Sequence, residues 1–372
     1  MKDYLRADMI RLVKSGDAFF REVIDLIRSA ESSIHLQTYI FSNDKTGTTV
    51  ANELGRAAKK GVKVFLLMDA FGSKELPGSL FEALMRKGVF VRKFSPLFSG
   101  ESIYLGRRLH HKILVVDGTR AIVGGINIAE KYRGSRGEKA WLDYAVFIEG
   151  ACCKYLHELC DKIFKKKDFK ERTLKPIQNS RGPLIRFRRN DWIRGRNEIH
   201  KSYREALLVA GKSITIVASY FLPGLRFRKL LKKASARGVK VRIILAGRSD
   251  LTIVRLAERY LYRELHRTGA QIYEWQDSVM HGKTTIIDDE WVSVGSYNIN
   301  HLSHYRSIEL NVDIQDRPLA SELNWDLENS VLTKSILITA MDLPARIGVI
   351  EHLKTMFAYY FLRMVWRLLV SR

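Results

Sequence analysis

The sequence predicts an α/β fold built twice: two similar halves, each a mixed β-sheet flanked by helices, related by a pseudo-twofold axis with one site at their interface. Three observations predict it. Ala57, Gly61, Val62, Lys63 and Val64 recur in the same spacing as Ala234, Gly238, Val239, Lys240 and Val241, an internal repeat that fixes the architecture before any single residue is interpreted. Each half runs strand, helix, strand, helix, histidine-bearing strand, turn, strand, the alternation of layered α/β units. Finally, the pattern H-x-K-x4-D-x6-G-[GS]-x-N occurs once in each half, from His110 to Asn127 and from His281 to Asn298.

The elements follow in order. Ser33 to Tyr39 and Ser213 to Tyr220 are apolar runs with the composition of strands. A helix end, a glycine cap at Gly61 or Gly238 and a further strand come next. Downstream, each half carries a strand opening with histidine and ending at an Asp-containing turn. A Lys- and Arg-rich stretch from Lys165 to about Arg189, with Pro176, Asn179, Gly182 and Pro183 as breakers, reads as the linker. The expected division is a first half over 1–180, a second over 181–335 and a basic, apolar tail over 336–372.

The tail is a helix candidate from about Arg346 to Arg372. Leu353 to Val370 would span roughly 27 Å at about 1.5 Å per residue, nearly a bilayer core. Arg363 and Arg367 fall in its middle, where each costs about 2.5–3.5 kcal/mol on insertion scales, so spanning is disfavoured. Two readings stay open: a helix in the membrane interface with snorkelling arginines and Trp366 near the headgroups, or a terminal helix packed on the core.

Lys and Arg number 63 against 40 Asp and Glu, a formal charge of +23, which points to an anionic partner, either nucleic acid or a negatively charged membrane. The cysteines, Cys152, Cys153 and Cys160, crowd one stretch without zinc or disulfide-framework spacing, and are expected to be reduced, structural thiols. The start of the chain shows no apolar signal region, so the catalytic machinery is expected in the cytoplasm.

The chemistry sits in the doubled motif. Residues i and i+2 of a strand share a face, so His110 and Lys112 aim together, as do His281 and Lys283. Asp117 and Asp288 stand at an odd offset beside turns, and are expected to support the turn more than to touch substrate. Asn127 and Asn298 end short returning strands, where their amides can donate to a phosphate. A carboxylate is expected to orient each histidine, and Asp143 and Glu309 occupy matching downstream places. The back-facing His111 and the unrepeated His35, His157, His200, His266 and His352 are expected to be packing or surface residues, and the unmatched His301 and His304 carry no ligand expectation. No Cys or His cluster has metal-ligand spacing, and no cofactor is expected.

These residues resemble the paired HKD motifs of the phospholipase D superfamily, over nearly the whole chain. More narrowly, Gly124 to Glu130, Asp143 to Gly150 and Ala218 to Gly224 look like bacterial cardiolipin synthases, nearest the B-type branch; Asp143, where the second half has glutamate, is a departure with shorter reach. The resemblance implies a catalytic set of His110, Lys112, Asp117, His281, Lys283 and Asp288. One histidine attacks phosphorus and forms a phosphohistidine; by analogy this is His110, with His281 as the acid that protonates the departing alcohol. It further implies phosphatidylglycerol or a related phospholipid as substrate and an anionic membrane as partner, with the protein peripheral on the cytoplasmic face. Phospholipase D-type hydrolysis remains an alternative outcome. The rival is a nuclease or phosphodiesterase, since the same chemistry cleaves nucleic acid and a basic protein binds its phosphates; the apolar loop from Phe94 to Phe98 and the tail favour a membrane surface.

Overall fold

A glycine closes each of the two matched helices because the chain must turn there through a left-handed conformation. Gly61 and Gly238 have φ of +94° and +88°, a region that costs glycine nothing. From these turns the chain enters the strands that the repeat predicts. The structure, a computed structural model, describes residues 3–96, 98–99, 102–103, 107–135, 137–169, 182–343 and 348–370; the side chains of 98–99, 102–103 and 367–370 lie outside that description. Pro176, Asn179, Leu97 and Arg346, named above, fall outside it too, as do the side chains of Phe98 and Arg367.

The chain divides into two compact units. The first holds Met1–Phe187 with Val294–Ser296 and Ile308–Gln315, and the second holds Arg188–Ser293, Tyr297–Ser307 and Asp316–Arg372.

In the first unit, β1 (Met9–Lys14), β2 (Ser33–Thr38), β3 (Lys63–Asp69), β4 (Phe90–Phe94), β5 (Lys112–Val116), β6 (Arg120–Gly124) and β7 (Tyr144–Glu149) form one mixed sheet in the order β1-β7-β6-β5-β2-β3-β4. The β2-β3-β4 pairs are parallel and the others antiparallel, with Leu36 opposite Leu66 on one side and Leu114 on the other. Helices α1 (Asp17–Arg28) and α2 (Lys45–Lys59) cover one face, burying Phe20, Ile27, Val50 and Leu54 against Leu36, Leu66 and Leu114. Asp44 starts α2 by accepting from Gly47 N–H at 2.8 Å, which satisfies an otherwise orphaned donor. After α3 (Gly78–Arg86) and the short α4 (Glu130–Arg133), α5 (Cys153–Phe164) covers the other face. There the Gln37 amide donates to Cys160 O at 2.8 Å, and His35 stacks on Phe65. Cys152, Cys153 and Cys160 are buried free thiols.

Leu184–Asp191, here β8, corrects the linker reading: its start pairs antiparallel with the short strand Leu5–Arg6, Ile185 opposite Leu5. Ile185 and Phe187 are buried, and the intervening Arg186 is buried as well because it meets Asp313 at 2.9 Å. A basic residue in a strand reads as linker only when its carboxylate lies far away in sequence.

The second unit repeats the plan. β9 (Ser213–Ala218), β10 (Lys240–Arg248), β11 (Gln271–Val279) and β12 (Lys283–Ile287) pair in the order β12-β9-β10-β11, with β9-β10-β11 parallel and β12 antiparallel. Thus β4 and β11 add a strand to each half that the sequence reading left out. β13 (Trp291–Gly295) and β14 (Ser307–Gln315) come next in the chain, with Val294–Ser296 and Ile308–Gln315 belonging to the first unit, and β15 (Ser335–Ile338) pairs antiparallel with β11. Helices α6 (Glu198–Val209), α7 (Leu225–Ala236) and α8 (Thr252–Arg267) supply Leu207, Leu231, Ala257 and Leu261 to its core. α9 (His301–Arg306) and α10 (Arg317–Asp326) precede the tail helix α11 (Val349–Val370).

The tail helix packs on the second unit's core. Ala358, Leu362 and Trp366 join the core, and the Tyr359 ring lies 4.9 Å from that of Tyr260 in α8. Trp366 is only 7% exposed, which corrects its placement near headgroups. Among the described residues no helix is long and apolar enough to cross a membrane.

Candidate active site

The first motif is built at the start of β5. His110 sits two residues before Lys112, and the amides of His110 and His111 both donate to Ile308 O at 3.0 Å, which fixes the backbone of the turn into the strand. The His110 side chain is half-buried and its Nδ1 lies 2.9 Å from Glu309 Oε2. With the Glu309 oxygen as acceptor, Nδ1 carries the proton and the lone pair falls on Nε2. Ser296 Oγ donates to the same Glu309 oxygen at 2.5 Å, giving a Ser296, Glu309, His110 chain within one unit. The lysine is aimed as the strand alternation predicts: Lys112 Nζ donates to His110 O and lies 5.3 Å from the Tyr39 ring centroid.

Two groups around His110 escaped the sequence reading. Tyr39, immediately after β2, places its ring 4.9 Å from the imidazole; burial, with Asp69 adding to it, pushes its hydroxyl up to about 12, so it stays a neutral phenol. Asp69, the last residue of β3, is fully buried and accepts from Leu109 N–H at 2.8 Å and from the amides of Phe71 and Gly72. Its pKa is raised, burial outweighing those donors and Arg108. Asp69 therefore holds the residue adjacent to His110. The available signal was that β3 ends in aspartate where the matched strand has Ala246.

The back of the strand is inert. His111 is buried, its Nε2 2.8 Å from Gln37 Oε1, and burial lowers its pKa to about 3.

In the second unit His281 is buried just before β12. Lys283 Nζ donates to His281 O and lies 3.0 Å from His281 Nδ1, so imidazole and ammonium again point together. Tyr220 is the neighbouring ring, 6.4 Å from His281, and its hydroxyl donates to Asp250 at 2.6 Å.

Asp117 and Asp288 lie at the turns, as their odd offset suggests. The Asp117 carboxylate accepts from the amides of Glu31, Ser32 and Ser33 at 3.0, 2.8 and 2.9 Å. Asp288 takes those of Gly211, Lys212 and Ser213 at 2.8, 2.7 and 2.9 Å. Partial burial pushes both acids up, but the amide donors outweigh it and both pKa values are lowered. Both aspartates adopt positive φ, +53° and +55°, a region that aspartate tolerates better than most side chains.

The asparagines are each tied to their own half. Asn127 Oδ1 accepts from Ile40 N–H at 3.0 Å and its amide donates to Tyr132 Oη at 2.8 Å. Asn298 Oδ1 accepts from Ser219 Oγ at 2.8 Å. The small residues before them are required by close approach. A Cβ on Gly124 would lie 2.5 Å from the Ala145 backbone, one on Gly295 would lie 2.3 Å from Leu310 O, and one on Gly125 would lie 2.4 Å from Asp143 Oδ1. Asp143 thus occupies the space that Gly125 opens, and its Oδ1 accepts from Tyr144 N–H at 2.7 Å. Among the described residues, no three His, Cys, Asp or Glu side chains are grouped as a metal site needs.

The family described as cardiolipin synthase, PLD-like domain, matches residues 23–164 and 203–331. Over 366 residues the sequence is 32% identical to cardiolipin synthase B of Salmonella typhimurium, covering 96% of this chain and 88% of that protein. It is likewise 32% identical over 365 residues to cardiolipin synthase B of Escherichia coli, covering 95% and 87%. In fold it resembles the phosphatidylserine synthase of Haemophilus influenzae Rd KW20, with a TM-score of 0.73 at 15% identity, covering 99% of this chain and 96% of that one.

Proposed function

From the premise that this chain belongs to the cardiolipin synthase family of phospholipase D-like proteins, we propose that it moves a phosphatidyl group between two phosphatidylglycerols to make cardiolipin. The observation that carries the reading is the Glu309 carboxylate 2.9 Å from His110 Nδ1, because it presents Nε2 of that imidazole as a nucleophile.

In the first step, His110 Nε2 attacks the phosphorus of one phosphatidylglycerol. The N–P bond forms as the P–O bond to glycerol breaks, and His281 protonates the departing glycerol oxygen. In the second step, His281 takes the proton from a hydroxyl of the second phosphatidylglycerol, whose oxygen attacks phosphorus and displaces His110. Both histidines end as they began. In-line displacement needs nucleophile and acid on opposite sides of one phosphorus, so the reading requires both motifs to serve one substrate. Lys112 and Lys283, with the amides of Asn127 and Asn298, would neutralise charge on the nonbridging oxygens. Asp143 would orient a histidine as Glu309 does, whereas Asp117 and Asp288 serve by holding the strands.

The halves over 1–180 and 181–335 would each supply one motif, and the tail over 336–372 would serve attachment. The protein would sit peripherally on the cytoplasmic face of an anionic membrane, where each Lys or Arg near the surface contributes about 1 kcal/mol. The test is mass spectrometry of lipids after incubation with phosphatidylglycerol vesicles. Cardiolipin from the wild type and none from His110→Ala or His281→Ala is the expected result. Phosphatidic acid alone would make the protein a hydrolase, and nucleic-acid cleavage without lipid product would overturn the lipid reading.

A further inference from the structure

The tail helix α11 is apolar on two opposite faces, and the fold covers only one of them. The inner face carries Thr355, Ala358, Leu362 and Trp366, all buried, and Glu351 lies 3.7 Å from Arg259 of α8. On the outer face, Val349, Ile350, Leu353, Phe357, Phe361 and Met364 recur at the three- and four-residue steps of one helical stripe. All six are exposed, Ile350 at 71% and Phe357 at 68%, and the Phe357 and Phe361 rings stack on each other at 5.8 Å. A contiguous apolar strip of this kind on a folded surface marks a binding face.

We propose that this outer stripe docks the enzyme flat onto an anionic phospholipid bilayer, a statement that rests on the lipid reading above and gives it a surface. The occupant follows from charge. Lys354, exposed, borders the stripe on one side, and Arg363 borders it on the other, its guanidinium 6.0 Å from the Tyr359 ring. The whole chain carries +23, so a second copy seated here would bring like charges together, whereas an anionic headgroup layer draws the flanking cations to it. The inner face sets the orientation. Because Leu362 and Trp366 are locked into the core, the helix lies along the protein surface, and its outer side chains reach the boundary between headgroups and acyl chains at a depth of about 5–10 Å. This combines the two readings that the sequence left open: the helix packs on the core and also faces the membrane.

The experiment compares the full-length wild type with Leu353→Ser/Phe357→Ser/Phe361→Ser and with Lys354→Glu in flotation with phosphatidylglycerol–phosphatidylcholine vesicles. All three proteins are also assayed for cardiolipin formation on detergent-dispersed phosphatidylglycerol, where no bilayer needs to be found. The triple variant is expected to lose at least tenfold in vesicle affinity while keeping its melting temperature and its micellar activity. Lys354→Glu is expected to weaken binding to the anionic vesicles, and less so at high salt. Unchanged flotation of the triple variant overturns the proposal, as does a lipid-free wild-type dimer that the substitutions dissociate. If micellar activity is absent from the wild type while vesicle binding still falls, the docking surface stands and the transferase reading fails.

Discussion

In the first unit Asp117 gathers the amides of Glu31, Ser32 and Ser33, and in the second Asp288 gathers those of Gly211, Lys212 and Ser213, so the turn behind each histidine strand is tied down in the same way. In front of the strand the two copies part. His110 meets a carboxylate, Glu309, that lies about two hundred positions further along the chain, and its neighbour Leu109 is held by Asp69. The position of the second repeat that matches Asp69 is Ala246. Where the first repeat needs Gly125 to make room for Asp143, the second has Ser296, whose hydroxyl donates to Glu309. The comparison teaches that a duplicated motif keeps its backbone devices while the side chains placed around its histidine change.

The most severe test of that difference is to remove each imidazole in turn. His110→Ala and His281→Ala should each abolish turnover, with losses of up to about 10⁶-fold when nucleophile and acid act as a unit. They should also differ in what forms on the protein: single-turnover mass spectrometry should find no phosphatidyl adduct on His110→Ala, whereas His281→Ala keeps the nucleophile and should form that adduct, slowly. A variant of either histidine that kept half the activity would mean that each half works alone, and the comparison would collapse.

Next in size is Glu309→Gln, which keeps the shape but removes the charge that stabilises the imidazolium. A loss of about 10²–10⁴-fold in kcat is expected, in the range that general acid–base catalysis contributes. Asp69→Ala should cost less, up to about 10²-fold through misplacement of the His110 segment. Asp69→Asn, which retains an acceptor for Leu109 N–H, should recover much of that loss without shifting the pH–rate profile. Equal effects of Glu309→Gln and Asp69→Asn on the profile would show that Asp69 acts electrostatically.

The scaffold half of the comparison predicts similarity. Asp117→Ala and Asp288→Ala should each lose about 1–2 kcal/mol of stability, the cost of orphaned amide donors at a partly solvated site. The urea midpoints should shift alike. Both carboxyls have lowered pKa values in the fold, so their contribution is present above the unfolded carboxylate pKa of about 4 and is lost as pH falls through the folded value. Asn in place of either should flatten that acidic limb.

Much of this was legible in the sequence because the repeat registers two kinds of information at once. The glycine caps, the histidine strands and the turn aspartates are local in sequence, and they fold where the spacing puts them. The pairing of His110 with Glu309 is not local: matching places in the two halves could be read, but which carboxylate reaches which histidine depends on topology. β8 was hidden for a related reason, since Arg186 looks solvated until Asp313 is brought to it. β4 and β11 were missed because Arg92, Lys93, Glu274 and Asp277 interrupt their apolar pattern; Glu274, for one, is neutralised by Arg255 at 3.1 Å. Trp366 illustrates the remaining limit. A helix apolar on two faces offers no sequence signal for which face turns inward.

The smallest expected effect concerns the sheets themselves. β2 of the first unit carries His35 where β9 of the second carries Thr215, and the residue after the motif histidine is His111 in one and Gly282 in the other. Burial lowers His35 to about 4, with His157 reinforcing it, and lowers His111 to about 3. Both lie below the unfolded value of about 6.5, so the fold holds these rings neutral and the unfolded chain binds more protons below that pH. Their contribution is therefore full above about pH 6.5 and declines as pH falls toward the folded values. In the second unit the histidine lowered to about 4 is His304, on α9 rather than on the sheet. Hydrogen exchange at pH 7 and pH 5 should therefore show the β2 and β5 amides losing protection, relative to intrinsic rates, before those of β9 and β12. His35→Phe, which keeps a ring against Phe65 and removes the titrating group, should reduce that gap. If both sheets lose protection together, the acid response belongs to the scaffold they share and not to the histidines that set the first half apart.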